Sequence, residues 1–287
     1  MARSTVSPTA LVTGATSGIG LAVALELARR QHAVTLVARD ADRLGGVASA
    51  LREAGYAPPR VLVADLTNEA DLLRTAEAAQ EVDVLVNAAG MGTRGQFPNG
   101  TLQAELQQLD LNVRCPLVLC HAAAPWMASR GGGRILNVGS TAGVWSHGTY
   151  AASKSWVEVM TRGLSDACSS RGVSVTLLVP GFTRTEFHAR SGLDPAGVPG
   201  WMWLDSHRVA LAGLDALAEG RAVCVPSRRY SILTGVLSRL SRSSRKRIMS
   251  RLVSMAPEQP QGPDRPSSPG RQDDASMLAQ PFPSSEE

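Results

Sequence analysis

Long apolar runs are missing from this 287-residue chain. None approaches the roughly 18–20 consecutive apolar residues that span a bilayer. Residues 1–8 carry no hydrophobic core of the kind a secretion signal needs. A soluble, cytoplasmic protein is the expectation. Cysteine is scarce: Cys115, Cys120, Cys168 and Cys224 form no Cys-x-x-Cys pair, and no histidine cluster joins them. That argues against a zinc or disulfide framework, and a reducing cytosol is the simpler setting. No metal is expected. Aromatics make up only 4% of the chain, whereas alanine, glycine and valine abound. Such a profile suits close packing of helices on a sheet. The front of the chain has no basic stripe interleaved with aromatics, so no nucleic-acid partner is expected. The formal charge of +4 is local, concentrated from Arg228 to Arg251.

What is present is alternation. Short apolar runs at 10–12, 33–38, 60–64, 82–86, 134–138 and 174–179 read as strands, with 222–225 a candidate seventh. Helical patterns at 19–31, from 39 to about 54, 69–80, 102–129 and 150–171 separate them. Strands that are apolar throughout, divided by helices, predict a parallel sheet covered on both faces. Right-handed crossovers make that sheet doubly wound, a three-layer α/β/α domain over residues 9–226. Residues 1–8 form a short lead. Residues 227–255 read as a basic amphipathic helical extension. In 256–287, Pro, Ser, Gln, Gly and Asp dominate, which predicts a disordered tail.

Chemistry enters at two places. The first is the turn Thr13-Gly14-Ala15-Thr16-Ser17-Gly18-Ile19-Gly20, lying between a strand and a helix. Gly14 permits the sharp exit from the strand; Gly18 and Gly20 let backbone approach phosphates and the next helix. The helix N-terminus then offers free N–H groups to an anion. Ser17 and Ile19 belong to the same candidate phosphate turn. The second place is Tyr150-Ala151-Ala152-Ser153-Lys154. Residues four apart share a helical face. A lysine ammonium there is expected to lower the tyrosine pKa, giving a tuned proton donor.

The glycine spacing resembles the short-chain dehydrogenase/reductase family, classical type, whose signature is Thr-Gly-x-x-x-Gly-x-Gly. Further matches follow in chain order over about residues 8–226. Asp65 ends the third strand, like the family aspartate near the adenine. Asn87-Ala88-Ala89-Gly90 resembles the family Asn-Asn-Ala-Gly. Asn112, Ser140, Tyr150 and Lys154 come next. Pro180-Gly181, Thr183 and Thr185 follow the sixth strand. The resemblance implies a Rossmann-type fold and hydride transfer between a nicotinamide and a carbonyl or alcohol carbon. It implies Tyr150 as general acid, and Lys154 tuning Tyr150 and holding the nicotinamide ribose. Ser140 would bond the substrate oxygen and Asn112 would hold a water, the alternative for Asn112 being a buried helix kink. Asp65, Asn87 and Gly90 would line the adenosine side, and Pro180, Gly181, Thr183 and Thr185 the nicotinamide side. A homodimer or homotetramer packed through 102–129 and 150–171 is also implied. Only nine residues separate Ser140 from Tyr150, fewer than is common in the family, so Thr141 or Ser146 stand as alternatives to Ser140.

Coenzyme choice rests on the end of the second strand, Val37-Ala38-Arg39-Asp40. Acid at that end accepts from a ribose hydroxyl, whereas Arg accommodates a 2′-phosphate. Ala38 holds the usual acidic position and Arg39 follows, predicting NADP(H) over NAD(H). The alternative pairs Arg39 with Asp40 or Asp42 on the surface. Asp40 reads as a helix N-cap. Phe182, Phe187, Trp201, Met202, Trp203 and Leu204 make 182–204 an apolar lid, which suggests a hydrophobic carbonyl substrate. His147 and His188 read as ordinary loop histidines, and Cys224 as a strand-packing residue. The stripe Ile232, Leu233, Val236, Leu237 and Leu240 beside the basic cluster suggests a packed helix or a peripheral membrane contact through 230–255. The leading expectation is an NADPH-dependent carbonyl reductase. The alternatives are an alcohol dehydrogenase working oxidatively on the same residues, a non-catalytic nucleotide sensor, and a membrane-surface scaffold.

Overall fold

The computed structural model describes residues 7–93, 100–145, 148–191, 198–239, 241 and 244. Seven strands form one sheet: β1 (Thr9–Thr13), β2 (Ala33–Ala38), β3 (Arg60–Val63), β4 (Val84–Asn87), β5 (Gly133–Val138), β6 (Val173–Leu178) and β7 (Val223–Cys224). Every pairing is parallel, in the order β3-β2-β1-β4-β5-β6-β7. The helices are α1 (Gly18–Arg29), α2 (Ala41–Glu53), α3 (Glu69–Ala79), α4 (Leu102–Leu109), α5 (Cys115–Ser129), α6 (Ala142–Trp145), α7 (Gly148–Ser169), α8 (Phe187–Arg190), α9 (Ser206–Ala218) and α10 (Arg228–Ser238).

One face of the sheet packs on α1, α2 and α9 through Leu21, Leu44, Val47 and Leu214. The other packs on α3, α5 and α7 through Leu72, Leu119, Met127 and Cys168. Burial on both faces explains why the central strands are apolar without alternation. β3 is the exception. It lies at the edge with only β2 beside it, and Val61 and Val63 are 38% and 42% exposed.

Chain order reverses at β1, which pairs with β2 on one side and β4 on the other. Such a switch point opens a crevice beyond the carboxyl ends of the strands, where ligands bind in open α/β sheets. Two regions depart from the expected outline. The stretch 102–129 is not one helix: a π-helical turn, Asp110–Arg114, interrupts it. The apolar stripe near 230 begins inside α10, which starts two residues earlier at Arg228. Ser146, His147, Gly192, Gly197, Leu240, most of the basic cluster and the 256–287 tail lie outside the described residues.

Candidate active site

The turn after β1 is built from backbone constraints. Thr13 Oγ1 donates to the Val86 carbonyl at 3.3 Å and accepts the Ala88 and Ala89 N–H groups at 3.1 Å, tying β1 to the exit of β4. Gly14 has φ +69°, and a side chain there would press on the Ala89 backbone. At Gly20 a Cβ would lie 2.2 Å from the Gly14 carbonyl oxygen, so α1 begins against the strand end only because both residues are glycine. Ser17 occupies the N-cap without capping its own helix, and the first turn of α1 carries no acid. Its N–H groups and positive dipole end are therefore open to an anion. Ile19 is half-buried against the core, and Gly18 abuts the Thr185 side chain.

Across the switch point, Ser140 stands just past β5, Tyr150 in the first turn of α7, and Lys154 one turn later. The Ser140 side chain lies beside the Tyr150 hydroxyl. Burial pushes the Tyr150 pKa up to about 12, while the neighbouring Ser140 hydroxyl pulls the other way. Lys154 is 6% exposed; its Nζ donates to the Val138 carbonyl at 2.9 Å, and burial draws its pKa down to about 8. The expected lowering of Tyr150 by the ammonium is thus not what this arrangement gives. Lys154 points its proton at Val138 and sits 5.9 Å from the Tyr150 ring centroid, so desolvation dominates the phenol.

Asn112 sits inside the π-helical turn. Such turns wedge one extra residue into a helix and recur at functional sites. Here the distortion turns Asn112 toward the loop after β4. Asn112 Nδ2 donates to the Met91 carbonyl at 2.8 Å and to Ser153 Oγ at 3.2 Å, and Oδ1 accepts from Met91 N–H at 2.9 Å. Gly90 lies against both Asn112 Oδ1 and Lys154 Nζ. A cavity of water dimensions, lined by Asn87, Asn112, Asn137 and Lys154, separates these groups. The buried Asn87 Oδ1 has no protein partner, although Asn87 Nδ2 donates to Asn137 Oδ1 at 2.8 Å. Asn87 thus ties two strands and also offers a bare acceptor beside that cavity. The cysteine thiols at 115 and 120 are held near pKa 12 by burial and take no part in such chemistry.

The remaining candidates divide into two groups. Asp65 Oδ1 accepts the Thr67 N–H at 3.0 Å and the Thr67 hydroxyl at 2.8 Å, the turn role that strand-end aspartates commonly serve. Arg39 is exposed, with no ion pair among the described residues; Asp40 instead caps α2 through the Arg43 N–H at 3.0 Å. Pro180 accepts from the Thr141 N–H at 3.0 Å, which holds the segment after Ser140 against the segment after β6. Thr183 is buried and bridges to Leu204, and Thr185 Oγ1 accepts the Phe187 N–H at 3.3 Å.

Two features were missed in the sequence. Tyr230, read as the start of a surface helix, is 3% exposed and stacks its ring over Gly181. Its hydroxyl donates to the Met202 carbonyl at 2.8 Å and accepts the Phe182 N–H at 3.0 Å, joining Phe182 to Met202. Gly181 is glycine for that reason, since a Cβ would fall 2.0 Å from the ring. The only available signal was an isolated Tyr at the head of an apolar stripe. The second feature is a fork between Arg43 and Glu186, 143 residues apart, with both contacts at 2.9 Å. No sequence pattern marks it. Phe187 stands 5.4 Å from Tyr150 between ring centroids, and His188 packs between Phe182 and Trp203. Burial lowers the His188 pKa, so it contributes a neutral wall. Trp201, by contrast, is 54% exposed. Among the described residues, no His/Cys/Asp/Glu group is placed to hold a metal, and no helix is long and apolar enough to cross a membrane.

A doubly wound parallel sheet, a glycine turn at its switch point and a Ser–Tyr–Lys group at the strand ends define a nicotinamide-dependent oxidoreductase. A family model described as short chain dehydrogenase matches residues 8–195. The chain belongs to the short-chain dehydrogenase/reductase family, classical type, and is an NAD(P)-dependent dehydrogenase/reductase. An uncharacterised oxidoreductase of Staphylococcus saprophyticus is 33% identical over 202 residues, 66% of this chain and 86% of that one. Among solved structures, a short-chain dehydrogenase from Sphingobium yanoikuyae in complex with NADPH is 33% identical. That match has a TM-score of 0.73 and covers 82% of this chain and 97% of the other. A bulky-bulky ketone specific alcohol dehydrogenase from Comamonas testosteroni is 31% identical, with a TM-score of 0.70 and coverage of 82% and 96%.

Proposed function

We propose that this protein reduces a bulky hydrophobic ketone to its alcohol with NADPH, Tyr150 delivering the proton. The observation that carries the proposal is the Ser140 side chain beside the Tyr150 hydroxyl, with the Phe187 ring against Tyr150 and buried Lys154 one helical turn away. Geometry at the switch point suits the coenzyme: the glycine cradle would fill with any Cβ, the α1 N-terminus lacks an acid, and Arg39 has no ion-pair partner among the described residues. Gly14, Ser17, Gly18, Ile19 and Gly20 would hold its pyrophosphate, Arg39 its 2′-phosphate, and Asp65, Asn87 and Gly90 its adenosine side. Pro180, Gly181, Thr183 and Thr185 would hold its carboxamide end, and Tyr150 and Lys154 its nicotinamide ribose. When bound, the coenzyme supplies the hydride.

The residues do the rest. With a pKa near 12, Tyr150 keeps its proton at neutral pH, the state a general acid needs. Ser140 donates a second hydrogen bond to the same carbonyl oxygen as charge develops there. Lys154, turning from Val138, stabilises the phenolate that remains. Asn112 and the adjoining water-sized cavity carry a proton back. The oxidative direction needs Tyr150 as a base, which its raised pKa disfavours. Phe182, Phe187 and Trp203 give an apolar wall, and the ketone named for the Comamonas relative is bulky on both sides.

The test is NADPH oxidation by the full chain against aldehydes, bulky and cyclic ketones, and 3-ketoacyl thioesters. Turnover of bulky ketones, lost in Tyr150→Phe, is expected. Equal rates in Tyr150→Phe and wild type would remove Tyr150 from the acid role.

A further inference from the structure

The fork between Arg43 and Glu186 spans the coenzyme side of the crevice, and no step above uses it. Arg43 lies in the first turn of α2, four residues beyond Arg39. Glu186 immediately precedes α8, whose Phe187 packs on Tyr150. Both carboxylate oxygens of Glu186 meet Arg43 at 2.9 Å, and Asp40 stands 3.9 Å from Arg43 Nε. Glu186 also pairs with Arg190, whose Nη1 reaches Ser17 Oγ at 3.3 Å. A polar chain therefore runs from the end of β2, across the crevice, to the phosphate turn.

We propose that Arg43 is a second recognition group for the coenzyme 2′-phosphate and that Glu186 occupies it until the phosphate arrives. The inference rests on the NADP(H) reading above. Three points support it. Arg43 lies four residues beyond Arg39, in the first turn of the helix that leaves the strand end where such folds bind the adenosine ribose. A phosphate monoester carries close to two negative charges at neutral pH, so it competes well with one carboxylate for a planar guanidinium. The side chains of Arg43 and Glu186 are 33% and 26% exposed, so water reaches the pair and its exchange is inexpensive. Glu186 keeps Arg190 after the exchange, and no buried charge is stranded. Asp40 holds Arg43 at the strand end in both states. Release of Glu186 loosens the start of α8, so the 2′-phosphate signals directly to Phe187, which packs on Tyr150.

The test uses the full chain and two probes, adenosine 2′,5′-bisphosphate and adenosine 5′-monophosphate, by calorimetric titration. Hydrogen exchange of residues 183–191 is read alongside. Arg43→Gln should weaken the bisphosphate about tenfold, the loss of one charge-assisted bond, and leave the monophosphate unchanged. Glu186→Gln should tighten the bisphosphate alone. In wild type the bisphosphate, and not the monophosphate, should speed exchange at 183–191. Arg43→Gln without effect, in a wild-type protein that prefers the bisphosphate and loses that preference in Arg39→Ala, overturns this inference alone. Equal weakening of both probes by Arg43→Gln makes the fork a structural tie and also overturns it. No wild-type preference for the bisphosphate overturns the NADP(H) reading itself.

Discussion

Replacing Lys154 with Met separates what this residue does for catalysis from what it costs the fold. The side chain is 6% exposed, and burial lowers its pKa from 10.5 to about 8. Such a shift weighs against the protonated form by roughly 3 kcal/mol. Methionine of similar length removes that penalty but strands the Val138 carbonyl, which now accepts from Nζ at 2.9 Å. An orphaned buried carbonyl costs about 1–3 kcal/mol. At pH 7 the variant should therefore be as stable as wild type or more so, by roughly 0–2 kcal/mol. The pH dependence is sharper. Between about 8 and 10.5 the unfolded chain binds the Lys154 proton and the native state has released it, so wild-type stability rises with pH in that window. Urea unfolding at pH 7, 8, 9 and 9.5 should show wild type gaining about 1–2 kcal/mol on the variant between pH 8 and 9.5. The same variant should lose nearly all NADPH-dependent turnover. A stability difference that stays flat across this range would refute the desolvated ammonium, and retained turnover would refute its part in the chemistry.

Tyr230→Phe should cost about 1–3 kcal/mol, because the Phe182 N–H and the Met202 carbonyl lose their shared hydroxyl; thermal unfolding and faster hydrogen exchange at 182–191 and 198–204 check it. Gly181→Ala should destabilise by a comparable ~1–3 kcal/mol, since the new Cβ enters the Tyr230 ring. Combined with Tyr230→Ala, its added cost should nearly vanish in a double-mutant cycle. Tyr150→Phe should abolish ketone reduction while NADPH affinity stays within about twofold, measured by nucleotide fluorescence. Tyr150 also predicts a high-pH limb: the native state keeps its proton longer than the unfolded chain, so stability should fall as pH rises from 10 to about 12, and Tyr150→Phe should flatten that fall.

The element order and sheet type were legible because strands buried on both faces must be apolar throughout, as Leu11, Val12, Leu85 and Ile135 are. The glycine turn was legible because its backbone geometry tolerates few other residues. Edge exposure at Val61 and Val63 was not, since position in the sheet is set by pairing and not by composition. A buried helix kink at Asn112 was an alternative reading of that residue, but the π-helical form of the break was not legible. The burial of Tyr230 was not legible because its partners, Gly181, Phe182 and Met202, lie 28 to 49 residues earlier in the chain.

What the sequence alone determined was the order of chemical parts along the chain: a glycine turn between strand and helix, a tyrosine and lysine one helical turn apart, and a segment rich in apolar residues. Those features are local, fixed by backbone geometry and by periods of two or 3.6 residues. Tertiary structure decided how the parts are tuned. It buried Lys154 and half-buried Tyr150, so that desolvation outweighs their proximity and moves their pKa values in opposite directions. It brought Arg43 onto Glu186 and Tyr230 onto Gly181. Desolvation and long-range contacts depend on what surrounds a group in space, and no local pattern encodes that.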